Sequence, residues 1–438
     1  MSIAVLPSLE ELLHPATQPE SIRAKARASA DPLDPIHLFD MSWRKAGEIP
    51  HYVLPPSLTG VAANIIVMSS RHFPTGSHKV GPGYSCLREK LLSGAITPDG
   101  STLVFPSTGN YGIGGAWVGP RVGFRSLVIL PEDMSAERFE KIEAYGAKVI
   151  KTPGSESNVK EIYDCVREVR QRPGHIILNQ FEDFGNYRFH YHVTGNSALE
   201  VAAGYGNGRV AAFVSAMGSA GTIAAADRIK KQHPDAKAVG LEPIQCPTLY
   251  NVGYGAHAIE GIGDKHVTWI HNVRNMDALA CIDDEACLLG LQLVQEGNLP
   301  ELAQLRDVFG VSGICNVLGA IKTAKYYDMP AGSNVLTIAT DGFDRYPSVL
   351  ARLRNRVGAL QPGEIQRRVK VFSDIGTDWM QEGTMDVRRR WHNQKYFTWV
   401  EQQGKTVGEL NALWDPGFWE GEAAKIPELD RQTLALRA

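Results

Sequence analysis

The stretch Pro74-Thr75-Gly76-Ser77-His78-Lys79 places one lysine directly after a small, flexible turn. Two glycine-rich turns follow it along the chain, Ser107-Thr108-Gly109-Asn110-Tyr111-Gly112 and Gly218-Ser219-Ala220-Gly221-Thr222. A short apolar run of strand length precedes each of the three segments, at residues 62–68, 101–106 and 210–216. The lysine and both turns are therefore predicted to follow strands.

Between and beyond these segments, strand-like runs alternate with helical patterns. Further predicted strands span 126–130, 148–151, 175–178, 238–241 and 335–339, and predicted helices span 84–92, 113–118, 135–145, 158–171, 194–205, 222–233 and 282–297. Strands that alternate with helices of about ten residues indicate parallel strands joined by right-handed crossovers. The predicted fold class is α/β, with helices on both faces of a sheet and functional turns at the carboxyl ends of strands.

The three segments carry groups suited to one kind of chemistry. A lysine that forms an imine needs a lowered pKa and a rigid pocket, which burial beside a strand end supplies. The turn at 218–222 would open a helix, where unpaired backbone N–H groups and the helix dipole favour a phosphate. The hydroxyls and amide of the turn at 107–112 can grip a carboxylate. Each segment alone also fits a solvated lysine or an ordinary tight turn, but together they predict an aldehyde cofactor held by Lys79 as a Schiff base.

Bulk properties narrow the class of protein. A chain of 438 residues suggests two lobes with appendages, and its formal net charge of −3 gives no reason to expect nucleic acid or an anionic membrane as a partner. No apolar run reaches the roughly 18 to 20 residues that span a bilayer, and the first 16 residues do not have the pattern of a secretory signal. The six cysteines have no metal-ligand spacing and are interpreted as reduced thiols, which predicts a cytoplasmic location.

Several further motifs carry a family resemblance, over about residues 60 to 350. They are Leu130-Pro131-Glu132-Asp133-Met134-Ser135-Ala136-Glu137-Arg138 with Tyr145-Gly146-Ala147, Asn179-Gln180-Phe181-Glu182-Asp183 with Asn186, His190 and Thr194-Gly195, Gly240-Leu241-Glu242-Pro243, and Ile259-Glu260-Gly261-Ile262-Gly263. In this order, and with the three turns, the chain resembles the fold type II pyridoxal-phosphate enzymes, specifically the cysteine synthase / cystathionine β-synthase branch.

The resemblance implies a tryptophan synthase β-like fold, with two three-layer α/β/α lobes and the cofactor, pyridoxal 5'-phosphate, between them. The expected organisation is an N-terminal arm (1–60), a smaller, partly mobile lobe with the Schiff-base lysine at its start (61–195), a larger lobe that binds the cofactor phosphate (196–350), and a C-terminal extension (351–438). That extension holds five of the eight tryptophans, so we expect it to pack on the body or on a dimer partner.

The resemblance also implies a role for individual residues. Lys79 would hold the cofactor and, once released by substrate, remove the Cα proton. Asn110 would bond the ring hydroxyl, and the phosphate would be held by Gly218, Ser219, Ala220, Gly221 and Thr222. The substrate would be bound by Ser107, Thr108, Tyr111, Gln180 and Gly261, the first four at its carboxylate. No metal ligands are predicted.

The sequence departs from the family pattern at several positions. Tyr111 stands where the family has a small threonine, which puts the shape of the carboxylate site in doubt. Near the pyridine nitrogen, where the family has Ser or Thr, counting back from Arg345-Tyr346 places Asp341, with Thr340 facing the ring as the alternative. A carboxylate there would keep the nitrogen protonated and deepen the electron sink. His78 is either a structural histidine or a second acid/base group near Cβ, and residues 298–308 form an insertion that would line the entrance.

The resemblance implies an enzyme acting on a small α-amino acid with a leaving group at Cβ, by α,β-elimination to an aminoacrylate followed by β-replacement, as in a cysteine synthase. A β-eliminating ammonia-lyase or dehydratase, or an amino-acid racemase, is the alternative enzyme. A catalytically silent scaffold relative is the alternative from another class, against which Lys79, Asn110 and the phosphate turn argue. A homodimer is also expected.

Overall fold

The computed structural model describes residues 5–98, 100–107, 109–154 and 158–437, which build two sheets with helices on both faces. The strands are β1 His51–Leu54, β2 Asn64–Ser69, β3 Thr102–Pro106, β4 Arg125–Pro131, β5 Lys148–Thr152, β6 His175–Ile177, β7 Val210–Ala216, β8 Lys237–Pro243, β9 Ala278–Ile282, β10 Asn334–Ala339 and β11 Met380–Glu382. The helices are α1 Leu9–Leu13, α2 Glu20–Ala28, α3 Pro56–Thr59, α4 Val80–Leu92, α5 Asn110–Val122, α6 Ala136–Ala144, α7 Val159–Val169, α8 Phe184–Phe189, α9 Gly195–Ala203, α10 Ala224–Gln232, α11 Thr248–Asn251, α12 Asp284–Glu296, α13 Val311–Tyr326, α14 Pro347–Val357, α15 Ile365–Ser373, α16 Met385–Asn393, α17 Val407–Ala412, α18 Pro416–Ala424 and α19 Ile426–Ala435.

The smaller sheet has the strand order β5-β4-β3-β6, and all of its pairs are parallel. Successive side chains of a strand point to opposite faces, so β3 contributes to two cores. Leu103 and Phe105 pack in the main core, whereas Val104 packs in a separate cluster with Ile162 and Val166 of α7. Helices therefore cover both faces, which confirms the predicted three layers for this lobe.

The larger sheet has the order β1-β2-β10-β7-β8-β9-β11 and is parallel except at its two edges, where β1 and β11 are antiparallel. β10 runs parallel to β2 on one side and to β7 on the other. Carboxyl ends of parallel strands lie at one edge of a sheet. The segments after β2, β7 and β10 are thus brought together although they are far apart in sequence.

The sheets do not follow the lobe boundary expected at residue 61. β2 lies within the range assigned to the smaller lobe, yet its register with β10, from Asn64 opposite Asn334 to Ser69 opposite Ala339, makes it part of the larger sheet. The expected arm likewise contributes β1, and the extension contributes β11. The β2 run can be predicted because it is local in sequence, but the sheet that it joins cannot, since its partner strand lies about 270 residues further along the chain (Asn64 opposite Asn334).

The tryptophan-rich extension packs on the body of its own chain. Trp391 and Trp399 are fully buried, and their indole Nε1–H groups donate to the carbonyls of Leu249 and Val267 at 3.1 and 2.8 Å. Helix α19 also touches the N-terminal arm and α4. No helix within the described ranges is both long and apolar enough to cross a bilayer.

Candidate active site

Lys79 lies between the end of β2 and the start of α4 and is 8 % exposed. Its turn is fastened to the end of β10, because Ser77 forms an isolated antiparallel bridge with Asp341 and its Oγ donates to the Thr340 carbonyl at 2.8 Å. The lysine Nζ donates to Ser219 Oγ at 3.1 Å, which joins the lysine to the second glycine turn. The fold therefore buries the Lys79 amine beside the second glycine turn.

The turn from Gly218 to Thr222 connects β7 to α10. Ser219 is the residue of this turn that contacts Lys79. Its hydroxyl oxygen also accepts from Asn186 Nδ2 at 3.0 Å and from the Gly221 N–H at 3.3 Å. Gly221 has no room for a side chain, since an added Cβ would lie 2.0 Å from Asn186 Oδ1. Ala220 has φ +56°, the left-handed region that favours glycine. The backbone of the turn therefore lies close against Asn186 at Gly221, while the Ser219 hydroxyl carries the hydrogen bonds of the turn to Lys79 and Asn186.

Asp341, just after β10, contacts Asn110, the residue predicted to bond the cofactor ring hydroxyl, and also Tyr346. Its Oδ2 accepts from Asn110 Nδ2 at 2.5 Å and from the Tyr346 hydroxyl at 2.9 Å. Burial raises the pKa of this carboxyl, and the guanidinium groups of Arg345 and Arg138 oppose the shift. Thr340 makes no such contact with Asn110; its carbonyl accepts from Ser70 and Ser77.

Of the predicted substrate residues, Ser107 and Tyr111 make contacts within the protein. Ser107 Oγ accepts the N–H groups of Gly109 and Gly112 at 2.9 and 2.8 Å, which fixes the start of α5. The Tyr111 ring packs edge-on to Phe105, and its hydroxyl donates to the Leu178 carbonyl at 3.3 Å. Tyr111, which stands where the family has a small threonine, is therefore a core residue. Its packing on Phe105 explains why this position differs from the family pattern.

The remaining predicted substrate residues lie around Ser219. Gln180 is 4 % exposed, and its carbonyl accepts from Asn186 Nδ2 at 2.9 Å, the same amide that donates to Ser219. Gly261, with φ +102°, faces Gly218, since its carbonyl oxygen is 3.0 Å from a Cβ built there. Thr108 lies outside the described residues.

His78 is a packed histidine. Its ring is fully buried and stacks on Trp43 at 5.7 Å, and Nε2 lies 3.3 Å from Thr222 Oγ1. Burial, with the charge of Lys79, holds its pKa well below the ordinary value. A neutral ring that contacts the phosphate-type turn supports the structural alternative for His78 rather than an acid/base role near Cβ.

Sequence reasoning missed Asp264, which directly follows the Gly261-Ile262-Gly263 turn. This carboxyl is buried, its Oδ2 lies 3.6 Å from a Cβ built on Gly218, and neither oxygen has a hydrogen-bond partner among the described residues. Burial raises its pKa to about 7, although the charge of Lys79 acts in the opposite direction. The acidic residue immediately after a glycine turn that the resemblance already included was the available signal.

Buried polar atoms without partners in the described part of the chain test whether this site fits a polar, phosphate-bearing ring. Asn110 Oδ1 and Asp341 Oδ1 are both of this kind, and most buried polar atoms in proteins are paired. Together with the turn at 218–222 and the amine of Lys79, they offer partners for a ring hydroxyl, a ring nitrogen, a phosphate and an aldehyde. The residues present therefore fit pyridoxal phosphate.

Two helix-covered sheets, with a buried lysine and a glycine-rich turn brought together at strand ends, are the architecture of a cofactor-dependent α/β enzyme of fold type II. Residues 55–341 match the family described as "Pyridoxal-phosphate dependent enzyme", so the chain belongs to that family and uses pyridoxal 5'-phosphate. The match confirms the predicted family and cofactor.

Individual relatives agree with this assignment. The cysteine synthase of Staphylococcus aureus is 29 % identical over 289 residues, covering 66 % of this chain and 88 % of that protein. The O-acetylserine dependent cystathionine beta-synthase of Helicobacter pylori has a TM-score of 0.60 at 27 % identity, covering 68 % of this chain and 94 % of that one. The O-acetyl serine sulfhydrylase isoform 3 of Entamoeba histolytica has a TM-score of 0.63 at 24 % identity, with coverages of 74 % and 92 %, and shows the shared fold.

Proposed function

We propose that the enzyme acts on a small α-amino acid bearing a leaving group at Cβ, by elimination of that group followed by β-replacement. The observation that carries the proposal is the 3.1 Å contact between Lys79 Nζ and Ser219 Oγ, because it joins the candidate base to the candidate phosphate turn. The likeness to cysteine synthases supports the same reaction class.

Pyridoxal phosphate, when bound, supplies an electron sink for charge that develops at Cα. The protein supplies orientation and proton transfer. The turn at 218–222 would hold the phosphate, Asn110 would bond the ring hydroxyl, and Asp341 would bond the ring nitrogen. Ser107, Thr108 and Gln180 would receive the substrate carboxylate, whereas the Tyr111 side chain, which was expected there too, packs on Phe105. This leaves the amine of Lys79 to take the Cα proton.

Elimination without replacement and racemisation are the competing reactions. A buried carboxylate at the ring nitrogen favours the protonated ring and hence a longer-lived carbanion at Cα, which is the specific reason to keep a racemase as the second candidate. Keto acid and ammonia would identify a lyase. Exchange of the Cα proton with solvent deuterium, together with inversion and without either product, would identify a racemase.

The test is a panel of amino acids with β-hydroxyl, β-acetoxy and β-thiol substituents, followed by cofactor absorbance and product analysis, with sulfide as nucleophile. We expect turnover of at least one β-substituted amino acid, and a loss of at least about 10²-fold in Lys79→Ala. Lys160→Ala, at an exposed lysine, is the matched control and should match wild type. A folded, cofactor-loaded protein that neither exchanges the Cα proton nor forms product would instead support the scaffold alternative.

We also propose that the enzyme is a cytoplasmic homodimer. Exposed apolar side chains that a partner would cover support the dimer: Tyr254 and Phe397 are 79 % and 63 % exposed. Six cysteines without a disulfide support a reducing compartment. Light scattering coupled to gel filtration tests the dimer, and a mass of one chain at micromolar concentration would refute it.

A further inference from the structure

We propose that Asp264 is the acid–base group for the Cβ substituent, and that the enzyme consequently accepts a hydroxyl leaving group, as in serine-like substrates, and not only an activated ester. This inference deepens the proposed function and rests on it. It assigns one further catalytic residue and a substrate class.

The Asp264 carboxyl is buried without a hydrogen-bond partner in the described part of the chain. Asp264 is 5 % exposed, and neither oxygen meets a donor among the described residues. Leaving a carboxyl unpaired away from water is costly, and buried polar groups in native proteins are generally paired. An unpaired carboxyl in a family with a defined small-molecule site is therefore expected to meet its partner in the ligand.

The Asp264 carboxyl also lies close to the candidate active site. Its segment is hydrogen-bonded to the turn at 218–222, through Thr268 Oγ1 to the Ser219 carbonyl at 2.9 Å, and to the residue before the turn, through Gly263 N–H to the Met217 carbonyl at 2.9 Å. The same segment reaches the Gln180 side of the site, because the Trp269 N–H donates to the Phe181 carbonyl at 2.9 Å. Asp264 is also near enough to Lys79 for the charge of the amine to act on it.

Asp264 therefore lies beside the turn at 218–222, since its Oδ2 is 3.6 Å from a Cβ built on Gly218, and its segment continues towards Gln180. The groups around this part of the site already have proposed roles. Lys79 serves the Cα proton, Gln180 the substrate carboxylate, and the turn at 218–222 the phosphate. The part of a small amino acid that remains without a protein partner is the substituent on Cβ. A carboxyl is the appropriate group there, because hydroxide is a poor leaving group unless a proton reaches it as it departs.

In the proposed elimination, each bond that breaks is matched by a bond that forms. Lys79 Nζ takes the Cα proton, and the C–H electron pair forms the Cα=Cβ bond. The Cβ–O bond breaks, its electron pair leaves with oxygen, and the proton of the Asp264 carboxyl joins that oxygen, so that water departs. Asp264 is then a carboxylate and accepts the proton of the incoming nucleophile as that nucleophile bonds to Cβ, which restores its acid form. The Cα=Cβ electron pair returns to Cα and takes back the proton held by Lys79, which restores the free amine.

The alternative role for Asp264 is structural, with its carboxyl hydrogen-bonded to a buried water and not to the substrate. A cavity of about 20 Å³ adjoins Asp264 and Thr248, enough for one water that would pair the carboxyl permanently. Asp264→Asn keeps the shape of the side chain and its contact with that water but cannot transfer a proton. A structural role would therefore change the rates of all substrates together, whereas proton transfer would change them according to the leaving group.

The test compares L-serine with O-acetyl-L-serine in single turnovers of cofactor-loaded wild type and Asp264→Asn, together with Cα deuterium exchange. We expect the variant to lose about 10²–10⁴-fold with serine, less than about tenfold with the acetyl ester, and little in Cα exchange. Equal losses with both substrates, or no loss with serine, would overturn the proposal. In Asp264→Ala, restoration of the serine reaction by formate would support it, and no restoration in a folded variant would count against it.

Wild type alone keeps the inference testable if neither variant folds. Turnover of serine within about 10²-fold of the acetyl ester supports an acid at the leaving group, and turnover of the ester alone overturns it. If wild type turns over neither substrate and exchanges no Cα proton, the proposed function itself has failed. The two failures are thus distinguished.

Discussion

Ala220 and Gly221 are adjacent residues of the turn at 218–222. Ala220 carries a side chain in a backbone conformation that favours glycine, whereas Gly221 has no room for a side chain. Ala220 is left-handed at φ +56°, a conformation that costs an L-residue about 1–2 kcal/mol, whereas Gly221 is pressed against Asn186. We expect Ala220→Gly to cost no stability, because relief of strain offsets the added freedom of the unfolded chain. Ala226→Gly, inside helix α10, is the control and should cost about 1 kcal/mol. Urea unfolding measures both, and equal losses would refute the strain at Ala220.

Gly221→Ala should weaken cofactor binding more than folding. The new Cβ would displace Asn186 and with it the donor to Ser219 Oγ, which accepts from Lys79. Titration of the cofactor by absorbance should show at least about tenfold weaker binding, the effect of 1.4 kcal/mol. Unchanged affinity would mean that the Asn186–Ser219 contact does not shape the turn.

The ionisation of Asp264 should appear in the pH dependence of stability. Burial raises its pKa from 3.8 to about 7, partly opposed by Lys79, so the folded protein favours the neutral carboxyl. Above about pH 4 the unfolded chain ionises at this residue while the folded protein still holds the proton. The free energy of unfolding of the wild type therefore falls as pH rises from about 4 to 7, and the loss is complete above the folded pKa. Asp264→Asn should therefore gain about 2–3 kcal/mol relative to wild type between pH 5 and pH 8. If the difference in unfolding free energy between Asp264→Asn and wild type is the same at pH 5 and pH 8, the pKa of Asp264 is not raised into this range.

At the scale of elements, α5 crosses the start of α4 at a glycine. A Cβ on Gly114 would lie 2.9 Å from Val80 Cα, the residue after Lys79, and backbone cannot yield as a side chain does. We expect Gly114→Ala to separate the helices, shift Lys79 and cost about 1–3 kcal/mol, with weaker cofactor binding. Gly421→Ala, in helix α18 with open space around it, should instead be neutral or stabilising.

Most elements of the two sheets were predictable because their patterns are local. The run at 210–216 was predicted with its observed bounds, and the run at 62–68 falls one or two residues from β2. β9 and α13 were missed, since both are buried along their length and carry no alternation or stripe to read. Lys79 and the turn at 218–222 were recognisable because glycine and lysine mark them. Asp264 was not, because its significance depends on burial and on absent partners.

At the scale of the whole molecule, Asp430 joins the two ends of the chain to the catalytic lobe. Its carboxylate accepts the N–H groups of Leu9 and Glu10 at 2.9 and 3.0 Å and pairs with the buried Arg88 of α4 at 2.6 Å. Removing one partner of a buried ion pair costs about 3–5 kcal/mol. Asp430→Asn should therefore lower the unfolding midpoint strongly, while Glu428→Gln, at a fully exposed pair in the same helix, should not. Equal unfolding midpoints for Asp430→Asn and wild type would show that the C-terminal extension does not stabilise the body through Asp430.

Lys79 is the residue that we propose is joined to the cofactor aldehyde. Borohydride reduction of the loaded enzyme fixes that bond permanently, and peptide mass spectrometry then locates the pyridoxyl group. We predict that it is found on the peptide containing Lys79, and that Lys79→Ala carries none. Its presence on another buried lysine, such as Lys322 or Lys395, or its absence from every lysine of the loaded protein, would contradict the account.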